Sequence, residues 1–424
     1  MKRALILSVL FAATSLASTA SAANLRMSWW GSDDRHLATQ EALKVCGAKF
    51  GHTIAPEFTG WQGHQEKIAT QLAGRTEPDI MQVNWPWLPL FSKNGDGFAD
   101  LNQFKDVIDL SQWTQADLDS TTVKGKLNGV AVSTTGRIFM FNKTIYEKAG
   151  IAIPTTWDEV FAAAPVLKEK LGEGYYPFEA APSEGNGLNA RIVVILRATQ
   201  MTGKTFIDPE TNKIAWTEAE LAEALNFYQS MVDKHVIESW KSSSGGGNRP
   251  LFENPKWANG RYAGTYQWDS TYGKIAAPLE KGLELVPAHS PKSEGGKSEG
   301  IYRKPSMLFS ISKNSKEPKA AAQIINCLLN DPEAVAVLGA TRGIPSSKIA
   351  IKTLTDAGKI KPVQAQSYKV VVESEGPKVS PLIEHPRITE AFDTNLEAFA
   401  YGQQSAEDTA AEIIVGVDEA LSGL

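Results

Sequence analysis

The fold is decided by three short apolar stretches, which read LRMSWWG at residues 25–31, TIAPEFTGWQ at residues 53–62 and DIMQVNWPW at residues 79–87. Apolar runs of this length, bounded by turn-forming residues, are typical of β-strands. Residues 35–50 and 64–73, which lie between them, carry apolar side chains at helical spacing, and a glycine follows each segment. The alternating order of strands and helices predicts an α/β fold with a parallel sheet covered by helices.

Aromatic and amide side chains recur where these three predicted strands end. The carboxyl ends of parallel strands lie at one edge of a sheet, and ligands of open α/β folds bind there. Sugars present flat C–H faces that pack on indole rings, and hydroxyls that pair with amides and carboxylates. The sequence therefore predicts a carbohydrate site lined by tryptophans that stand beside Gly, Asn, Gln or Asp, namely Trp29, Trp30, Trp61, Trp85 and Trp268.

Some tryptophans are expected to cover hydrophobic core instead of a ligand. We expect this of roughly half of the strand-end rings, since large aromatic side chains are mostly buried in folded proteins. Trp87, between a proline and a leucine, is the strongest core candidate. Trp113 and Trp157 are expected to pack at the starts of helices.

Length and composition set limits on the class of protein. A chain of 424 residues is long enough for two domains. With 42% hydrophobic and 21% charged residues, the chain is typical of globular proteins rather than of disordered ones. A formal net charge of −5 argues against nucleic-acid binding, which requires a basic face.

The first 23 residues have the pattern of a cleaved signal peptide. Lys2 and Arg3 precede a short apolar stretch at residues 4–13, which is too short to span a bilayer. The small residues 20–22 then match a signal-peptidase site. We expect the mature chain to begin at Ala23 or Asn24 and to be exported to the periplasm.

Three motif-like matches do not support a cofactor, a metal or a catalytic site. Residues 202–205 read TGKT, but Ala198 stands where a phosphate loop needs its first glycine. Residues 296–300 read GKSEG, which fits a serine nucleophile motif by letters but follows no apolar strand. The six histidines lack metal-ligand spacing. We predict no catalytic residue, cofactor or metal, and carboxylate pairs are too numerous to identify or exclude a hydrolase.

Two cysteines, Cys46 and Cys327, are too few for a disulfide framework or a zinc cluster. They can form one bridge in an oxidising compartment, but the sequence does not tell whether their side chains meet.

Six segments together resemble a known family. They read SWWG at 28–31, GRTEPDI at 74–80, LNGVAV at 127–132, IPTTWDE at 153–159, GRYAG at 260–264 and GIP at 343–345. The pattern resembles extracellular solute-binding proteins of carbohydrate ABC importers, the group that includes maltose-binding protein. It covers essentially the whole mature chain, and IPTTWDE is its most specific part.

Within that family, further segments resemble the periplasmic oligogalacturonide-binding proteins. They read FTGW at residues 58–61, QVNWPW at residues 82–87 and STTGR at residues 133–137. This narrower resemblance implies that the ligand is an oligogalacturonide derived from pectin.

The resemblance implies a two-lobed periplasmic binding protein fold with a ligand cleft between the lobes. The N-terminal lobe is expected to comprise residues 24–132 and 287–340, and the C-terminal lobe residues 133–286 and 341–424. Three crossovers are expected, near Val132–Ser133, Val286–Pro287 and Arg342–Gly343. Such lobes close around a hinge when ligand binds, and the membrane permease is expected to recognise the closed form.

The resemblance also implies positions for the ligand contacts. Trp29, Trp30, Gln82 and Asn84 match strand-end contacts of related sugar binders. Trp268 and Asp269 match a stacking ring of the second lobe and its polar neighbour, and residues 133–137 match the mouth of the cleft.

An acidic chain can recognise an acidic sugar only through local basic groups, preferably arginines with their two-pronged geometry. The candidates near the expected cleft are Arg35, Arg137, Arg303 and Arg342. Each has the alternative role of an ordinary surface or hinge ion pair.

Two functions stay open on the sequence. The first is the periplasmic substrate-binding component of an ABC sugar importer, a monomer that captures an oligosaccharide and delivers it to the permease without catalysis. The alternative is a secreted carbohydrate-active enzyme, a lyase or a hydrolase. Both would carry tryptophans at strand ends, so only the formation of products separates them.

Overall fold

The structure, a computed structural model, describes residues 22–180, 188–244 and 250–424. The predicted signal peptide, apart from its last two residues, lies outside the described residues. The described chain forms two lobes, each built around its own cluster of buried apolar side chains.

Strands and helices alternate in the first part of the chain, whereas runs of helices follow the strands Val130–Asn142 and Arg303–Ile311. The strands are β1 (Asn24–Trp30), β2 (Thr53–Thr59), β3 (Ile80–Asn84), β4 (Thr122–Val123), β5 (Lys126–Leu127), β6 (Val130–Asn142), β7 (Gly264–Trp268), β8 (Leu285–Ala288) and β9 (Arg303–Ile311). The helices of the first half are α1 (Asp33–Phe50), α2 (His64–Gly74), α3 (Leu88–Phe91), α4 (Gln115–Ser120), α5 (Lys143–Ala149), α6 (Trp157–Leu171) and α7 (Leu188–Thr202). Those of the second half are α8 (Glu218–Asp233), α9 (Trp240–Ser244), α10 (Pro255–Ala258), α11 (Tyr272–Ala276), α12 (Pro318–Asn330), α13 (Pro332–Leu338), α14 (Lys348–Asp356), α15 (Pro362–Glu373), α16 (Pro386–Ala400) and α17 (Ala406–Ser422).

The sheet has the strand order β2-β1-β3-β9-β6-β7, and β8 also pairs with β6. β1 is parallel to both β2 and β3, as the alternating sequence pattern predicts. The other pairs along this path are antiparallel. The fold class is therefore α/β with a mixed sheet, and β2 forms the edge of the N-terminal lobe.

The longest strand, β6, joins the two lobes. Its first half pairs with β9 in the N-terminal lobe, whereas its second half pairs with β7 and β8 in the C-terminal lobe. The register with β9 shifts around Ser133, which is the position predicted for the first crossover. Such an irregularity bends a strand and lets it leave one sheet for the next.

The second crossover lies later than predicted. Val286 and Pro287 belong to β8, which pairs with β6 inside the C-terminal lobe. Ile301 and Tyr302 are still buried in that lobe, so the chain crosses at the start of β9, around residues 303–306. The boundary at residue 287 is thus wrong, because the local pattern of a strand does not reveal the sheet with which it pairs.

Hydrogen bonds link the chain near the predicted third crossover to β6, but the segment after it packs differently than predicted. The Ser133 hydroxyl donates to the carbonyl of Arg342 over 2.6 Å, and the Ser346 amide donates to the carbonyl of Val132. The following helix α14 packs on α12 and α13 of the N-terminal lobe. The predicted division at 340/341 would have placed α14 in the C-terminal lobe.

A disulfide joins Cys46 of α1 to Cys327 of α12, with 5.8 Å between their Cα atoms. It answers the question that the sequence left open. Both helices cover the same face of the N-terminal sheet, so the bridge links two layers of one lobe. Among the described helices, none is both long and apolar enough to cross a membrane.

Candidate ligand-binding cleft

An aromatic cluster lies at the carboxyl edge of the N-terminal sheet. The ring of Trp30 lies 5.4 Å from that of Trp61 and 5.3 Å from that of Trp87. His64, from the start of α2, packs against Trp30 and Trp87. Trp61 is half exposed, whereas Trp30 is buried apart from 7% of its surface. Trp87 is a core residue, as predicted, and so are Trp113 and Trp157.

His64 is held as a neutral imidazole within this cluster. Burial lowers its pKa to about 4, and the nearby Lys67 acts in the same direction. Its Nδ1 lies 2.7 Å from the hydroxyl of Thr59. His64 therefore adds no charge to the aromatic surface at this edge of the lobe.

Trp29 belongs to the core rather than to the ligand site. Successive side chains of a strand point to opposite faces, so Trp29 lies on the α1 side of the sheet, away from Trp30. It is fully buried, packs on Phe58, and donates from its indole Nε1 to Nδ1 of His36 over 3.1 Å. The expected ligand contact is corrected accordingly.

Gln82 and Asn84, at the end of β3, differ in their hydrogen bonds. The polar atoms of Gln82 bond to other residues of the chain, whereas the side chain of Asn84 bonds to none of the described residues. The Gln82 amide is fully buried, and it donates to the carbonyl of Trp30 and accepts from Arg342. Gln82 thus supports the wall of the cleft instead of contacting a ligand. Asn84, two residues further, makes no side-chain hydrogen bond within the described part of the chain.

Trp85 is largely buried, and its indole Nε1 donates to the carbonyl of Ser120 over 2.8 Å. The 3₁₀ turn that contains it packs against a second 3₁₀ turn, Pro381–Glu384, from the end of the chain. Val379 contacts the cores of both lobes. The two lobes therefore meet directly beside the end of β3.

Two arginines meet at the junction between α1 and the third crossover. Arg35 donates from Nε to the carbonyl of Thr341 over 3.0 Å and from Nη1 to the carbonyl of Trp30. Arg342 is buried and donates to Gln82 over 2.8 Å and to the hydroxyl of Thr39 over 3.0 Å. Within the described residues, neither arginine forms an ion pair, and Nη1 of Arg342 has no partner.

The surroundings of these arginines disfavour their charge. Burial lowers the pKa of Arg35 to about 10. Burial, followed by the charge of Arg35, also lowers the pKa of Arg342 well below its usual value. Arg342 is buried and Arg35 is partly exposed, and neither pairs with a carboxylate among the described residues. A buried cation in this position is unfavourable unless an anion approaches.

A second cationic group surrounds Trp268 at the end of β7. The guanidinium of Arg137 lies 4.9 Å from the Trp268 ring centroid, and the ammonium of Lys304 lies 4.7 Å from it. Arg137 is buried and donates to the carbonyl of Tyr266 over 3.0 Å. Trp268 itself is half-buried. These cation–π contacts hold the ring at the face of the C-terminal lobe.

Lys304 and Glu384 were not among the predicted site residues. Lys304 forms an ion pair of 2.6 Å with Glu384, which also accepts from the hydroxyl of Tyr302 over 2.5 Å. Burial raises the pKa of Glu384, but the nearby Lys304 and Tyr302 outweigh burial and lower it. This one carboxylate faces two cations, Lys304 and Arg137, so the group keeps a positive surplus.

Arg303 lies outside this group, although it was predicted to belong to the site. It is exposed and donates to the carbonyl of Val371 over 3.0 Å, on the side of α15. The period of two along β9 explains the difference, because Tyr302 and Lys304 share one face and Arg303 points to the other. That alternation was the signal that could have identified Lys304.

Asp269 is a buried residue that links two strands in this structure. Its carboxylate is buried and accepts from the Thr135 hydroxyl over 2.5 Å and from the Gly136 amide over 3.0 Å. Burial raises its pKa to about 6, although these hydrogen bonds oppose the shift. Asp269 therefore connects the end of β7 with the middle of β6 rather than presenting a free carboxylate.

The arrangement has the chemical features that bind a sugar ring and its polar groups. It offers aromatic surface from the N-terminal lobe, an aromatic ring from the C-terminal lobe, and cations at the junction. No group of His, Cys, Asp and Glu side chains in the described ranges has the geometry of a metal site.

Comparison with known proteins identifies relatives of the chain. Residues 39–335 match the model of the family described as bacterial extracellular solute-binding protein. The structure of a periplasmic solute-binding protein from Pectobacterium atrosepticum is similar, with 38% sequence identity, a TM-score of 0.89, and coverage of 95% of this chain and 99% of that one.

A periplasmic oligogalacturonide-binding protein from Yersinia enterocolitica, in complex with saturated digalacturonic acid, is similar as well. It has 38% sequence identity and a TM-score of 0.87, with coverage of 95% of this chain and 99% of that one.

The chain also resembles a curated protein of Brucella abortus that is described as a binding protein. The two are 26% identical over 281 residues, which is 63% of this chain. The match spans 62% of the length of that relative.

Proposed function

Because the chain belongs to the bacterial extracellular solute-binding protein family, we propose that it captures an oligogalacturonide in the periplasm and delivers it to the permease of an ABC importer. It acts as a monomer that binds and releases its ligand unchanged. The acidic ligand, the delivery and the monomeric state are the parts of this proposal that go beyond family membership.

The observation that carries the proposal is the uncompensated positive charge where the lobes meet. Arg35 and Arg342 have no acidic partner among the described residues, while Arg137 and Lys304 share Glu384. Buried cations are stable when an anion pairs with them. A uronate carboxylate supplies that anion, whereas a neutral sugar leaves the cations unpaired.

Two further observations support the choice of ligand. The chain as a whole carries a formal charge of −5, so a cationic cleft is a local feature that general composition does not explain. A protein 38% identical to this chain is described in complex with saturated digalacturonic acid. Trp30, Trp61 and Trp268 add the ring surface that the flat faces of sugars need.

Isothermal titration calorimetry tests the ligand class. Digalacturonic acid should bind with measurable heat, whereas the matched neutral disaccharide of galactose should bind at least tenfold more weakly. Arg137→Gln and Arg35→Gln should each weaken binding of the acid by about 1.5–3 kcal/mol, the range for a hydrogen bond to a charged group.

Arg303→Gln is the matched control, because Arg303 points away from the cleft and its replacement should leave affinity unchanged. Circular dichroism checks that each variant folds. Tight binding of the neutral disaccharide with no heat from the uronate would contradict the acidic ligand and leave the solute-binding assignment intact.

Mass spectrometry tests the absence of catalysis. Trigalacturonic acid incubated overnight with the protein should be recovered at its original mass. Shorter or unsaturated products that increase with protein concentration would favour the carbohydrate-active enzyme instead.

A further inference from the structure

Glu384 neutralises one of the two cations that lie against the Trp268 ring. Its carboxylate forms an ion pair of 2.6 Å with Lys304 and accepts from the Tyr302 hydroxyl over 2.5 Å. The charge of Arg137, whose guanidinium lies 4.9 Å from the Trp268 ring centroid, also acts on Glu384. The group around this ring therefore holds two positive charges and one negative charge.

The two members of the ion pair differ in their freedom to move. The side chain of Lys304 is 5% exposed, whereas that of Glu384 is 22% exposed. Lys304 lies in β9, and its ammonium is 4.7 Å from the Trp268 ring centroid. Glu384 is the last residue of the 3₁₀ turn that contacts the N-terminal lobe. The carboxylate can therefore turn toward water, while the lysine stays in place beside the ring.

A second cluster of the same composition lies elsewhere in the C-terminal lobe. Glu238 forms an ion pair of 2.6 Å with Lys256 and accepts from the Tyr262 hydroxyl over 2.5 Å. The exposure is reversed there, because the carboxylate side chain is 2% exposed and the lysine side chain 36%. A buried acid neutralised by a lysine from the surface is typical of a structural ion pair. Tyr262 precedes β7 and Trp268 ends it, so this cluster lies at the other end of the strand from Trp268.

Lys304 can pair with a ligand carboxylate in place of Glu384. A lysine ammonium has three N–H donors, and Lys304 uses one of them, toward Glu384, within the described residues. A uronate carries the same chemical group as a glutamate side chain. Two carboxylates at one ammonium repel each other, so each weakens the binding of the other. An acidic sugar that approaches Trp268 therefore competes with Glu384.

We propose that Glu384 is an internal substitute for the ligand carboxylate, which pairs with Lys304 until a uronate takes its place. This inference rests on the proposed function, because it requires an acidic ligand beside Trp268. Glu384 acts on the ligand through Lys304 and is thus a positioning residue. The exchange keeps the buried lysine paired before and after binding, so an acidic sugar can be released without leaving a buried charge unpaired.

Calorimetry on two variants tests the exchange. Glu384→Gln keeps the size of the side chain and an oxygen that can accept from Tyr302, but it carries no charge. It should bind digalacturonic acid about tenfold more tightly than the wild type, because the acid no longer competes with an internal carboxylate for Lys304. Its affinity for the neutral disaccharide of galactose should change less than twofold. Tyr302→Phe, which removes the hydroxyl that holds Glu384 in place, should also bind the acid more tightly.

Thermal denaturation gives a second readout, which a purely structural role would not change. Without ligand, Glu384→Gln should melt at a lower temperature than the wild type, because the buried lysine has lost its carboxylate. Saturating digalacturonic acid should raise the melting temperature of the variant more than that of the wild type, since the tighter ligand stabilises the folded state more.

Glu238→Gln is the matched control, because it removes the same group from the other cluster of lysine, glutamate and tyrosine. It should lower the melting temperature and leave the affinity for the acid unchanged. Circular dichroism checks that each variant folds. Unchanged or weaker binding of the acid by folded Glu384→Gln or Tyr302→Phe would overturn the exchange and leave the proposed function intact. Absence of binding by the wild type to every galacturonate would instead refute the proposed ligand, and the exchange with it.

Discussion

At the scale of single residues, identical side chains next to the same edge of the sheet have different roles. Trp29 is fully buried, and Trp61 is 47% exposed. Both follow an apolar run and stand near glycine, so their sequence environments do not distinguish them. The direction in which each side chain leaves its strand decides between core and surface.

This difference gives the first prediction. Trp29→Phe should lower the free energy of unfolding by about 1–3 kcal/mol, because it removes buried volume and the hydrogen bond to His36. Its affinity for ligand should stay unchanged. Urea denaturation and calorimetry measure the two quantities. Trp61→Ala should instead leave the free energy of unfolding nearly unchanged and weaken the affinity for ligand. A Trp29→Phe variant with full stability but lost affinity would contradict the core assignment of Trp29.

The second prediction concerns Asp269, whose pKa is raised by burial from 3.8 to about 6. At pH values between 3.8 and about 6, Asp269 is protonated in the folded protein and ionised in the unfolded chain. Stability from this group is therefore greatest at low pH and falls as pH rises from about 4 to about 6. Asp269→Asn keeps the oxygen that accepts from Thr135 and Gly136 but cannot ionise.

Denaturation at several pH values measures this effect. The variant should equal the wild type near pH 4 and exceed it at pH 7 by about 2–3 kcal/mol, since one unit of pKa shift corresponds to about 1.4 kcal/mol. A difference in stability between variant and wild type that is the same at all pH values would show that burial does not raise the pKa of Asp269.

At the scale of elements, β9 shows how one strand divides its residues between roles. Lys304 faces Glu384 and Trp268, whereas Arg303 faces the helix α15. Both residues are basic and adjacent in sequence. Only the pairing of β9 with β6 determines which of them reaches the junction of the lobes.

The third prediction concerns the pair of helices α1 and α12. The disulfide between Cys46 and Cys327 closes a loop with a sequence separation of 281 residues. Because it restricts the unfolded chain, its reduction should lower the free energy of unfolding by about 3–5 kcal/mol. Thermal denaturation with and without dithiothreitol measures the loss.

The double variant Cys46→Ala and Cys327→Ala is the control, and its melting temperature should not respond to the reductant. Ligand affinity should persist in both, because neither cysteine lies at the junction. Equal melting temperatures of the oxidised and reduced wild type would argue that the bridge does not form.

At the scale of the whole molecule, the three crossover segments contact one another through a small cluster of polar groups. The Ser133 hydroxyl contacts the Ser306 hydroxyl and donates to the carbonyl of Arg342. Gly343 follows with φ +93°, and a Cβ atom there would lie 3.2 Å from the Cβ of Ser270. A glycine at this position lets the crossover pass close to Ser270 and Ser133.

The fourth prediction is hinge closure. Saturating digalacturonic acid should reduce the radius of gyration by about 1 Å, as expected of two lobes that close around a hinge. X-ray scattering measures the change. Gly343→Ala should weaken ligand binding without touching the ligand, because a left-handed conformation costs a non-glycine residue about 1–3 kcal/mol. An unchanged scattering profile at proven saturation would contradict the hinge.

The order of strands and helices up to β3 followed from the sequence alone. Apolar periodicity and glycine stops are local signals, and they placed β1, α1, β2, α2 and β3 close to their observed bounds. The family motifs added the division into two lobes. These features depend on residues near each other in the chain, which is why sequence reasoning could reach them.

Only the tertiary structure decided which candidates meet. Trp29 and Gln82 turned into the interior, Arg303 turned to α15, and Lys304 entered the group around Trp268. The second crossover and the packing of α14 also depended on partners far along the chain. Strand pairing, and therefore the surroundings that a side chain meets, depend on residues far apart in the chain. Because successive side chains of a strand point to opposite faces, a difference of one residue in position places a side chain on the other side of the sheet.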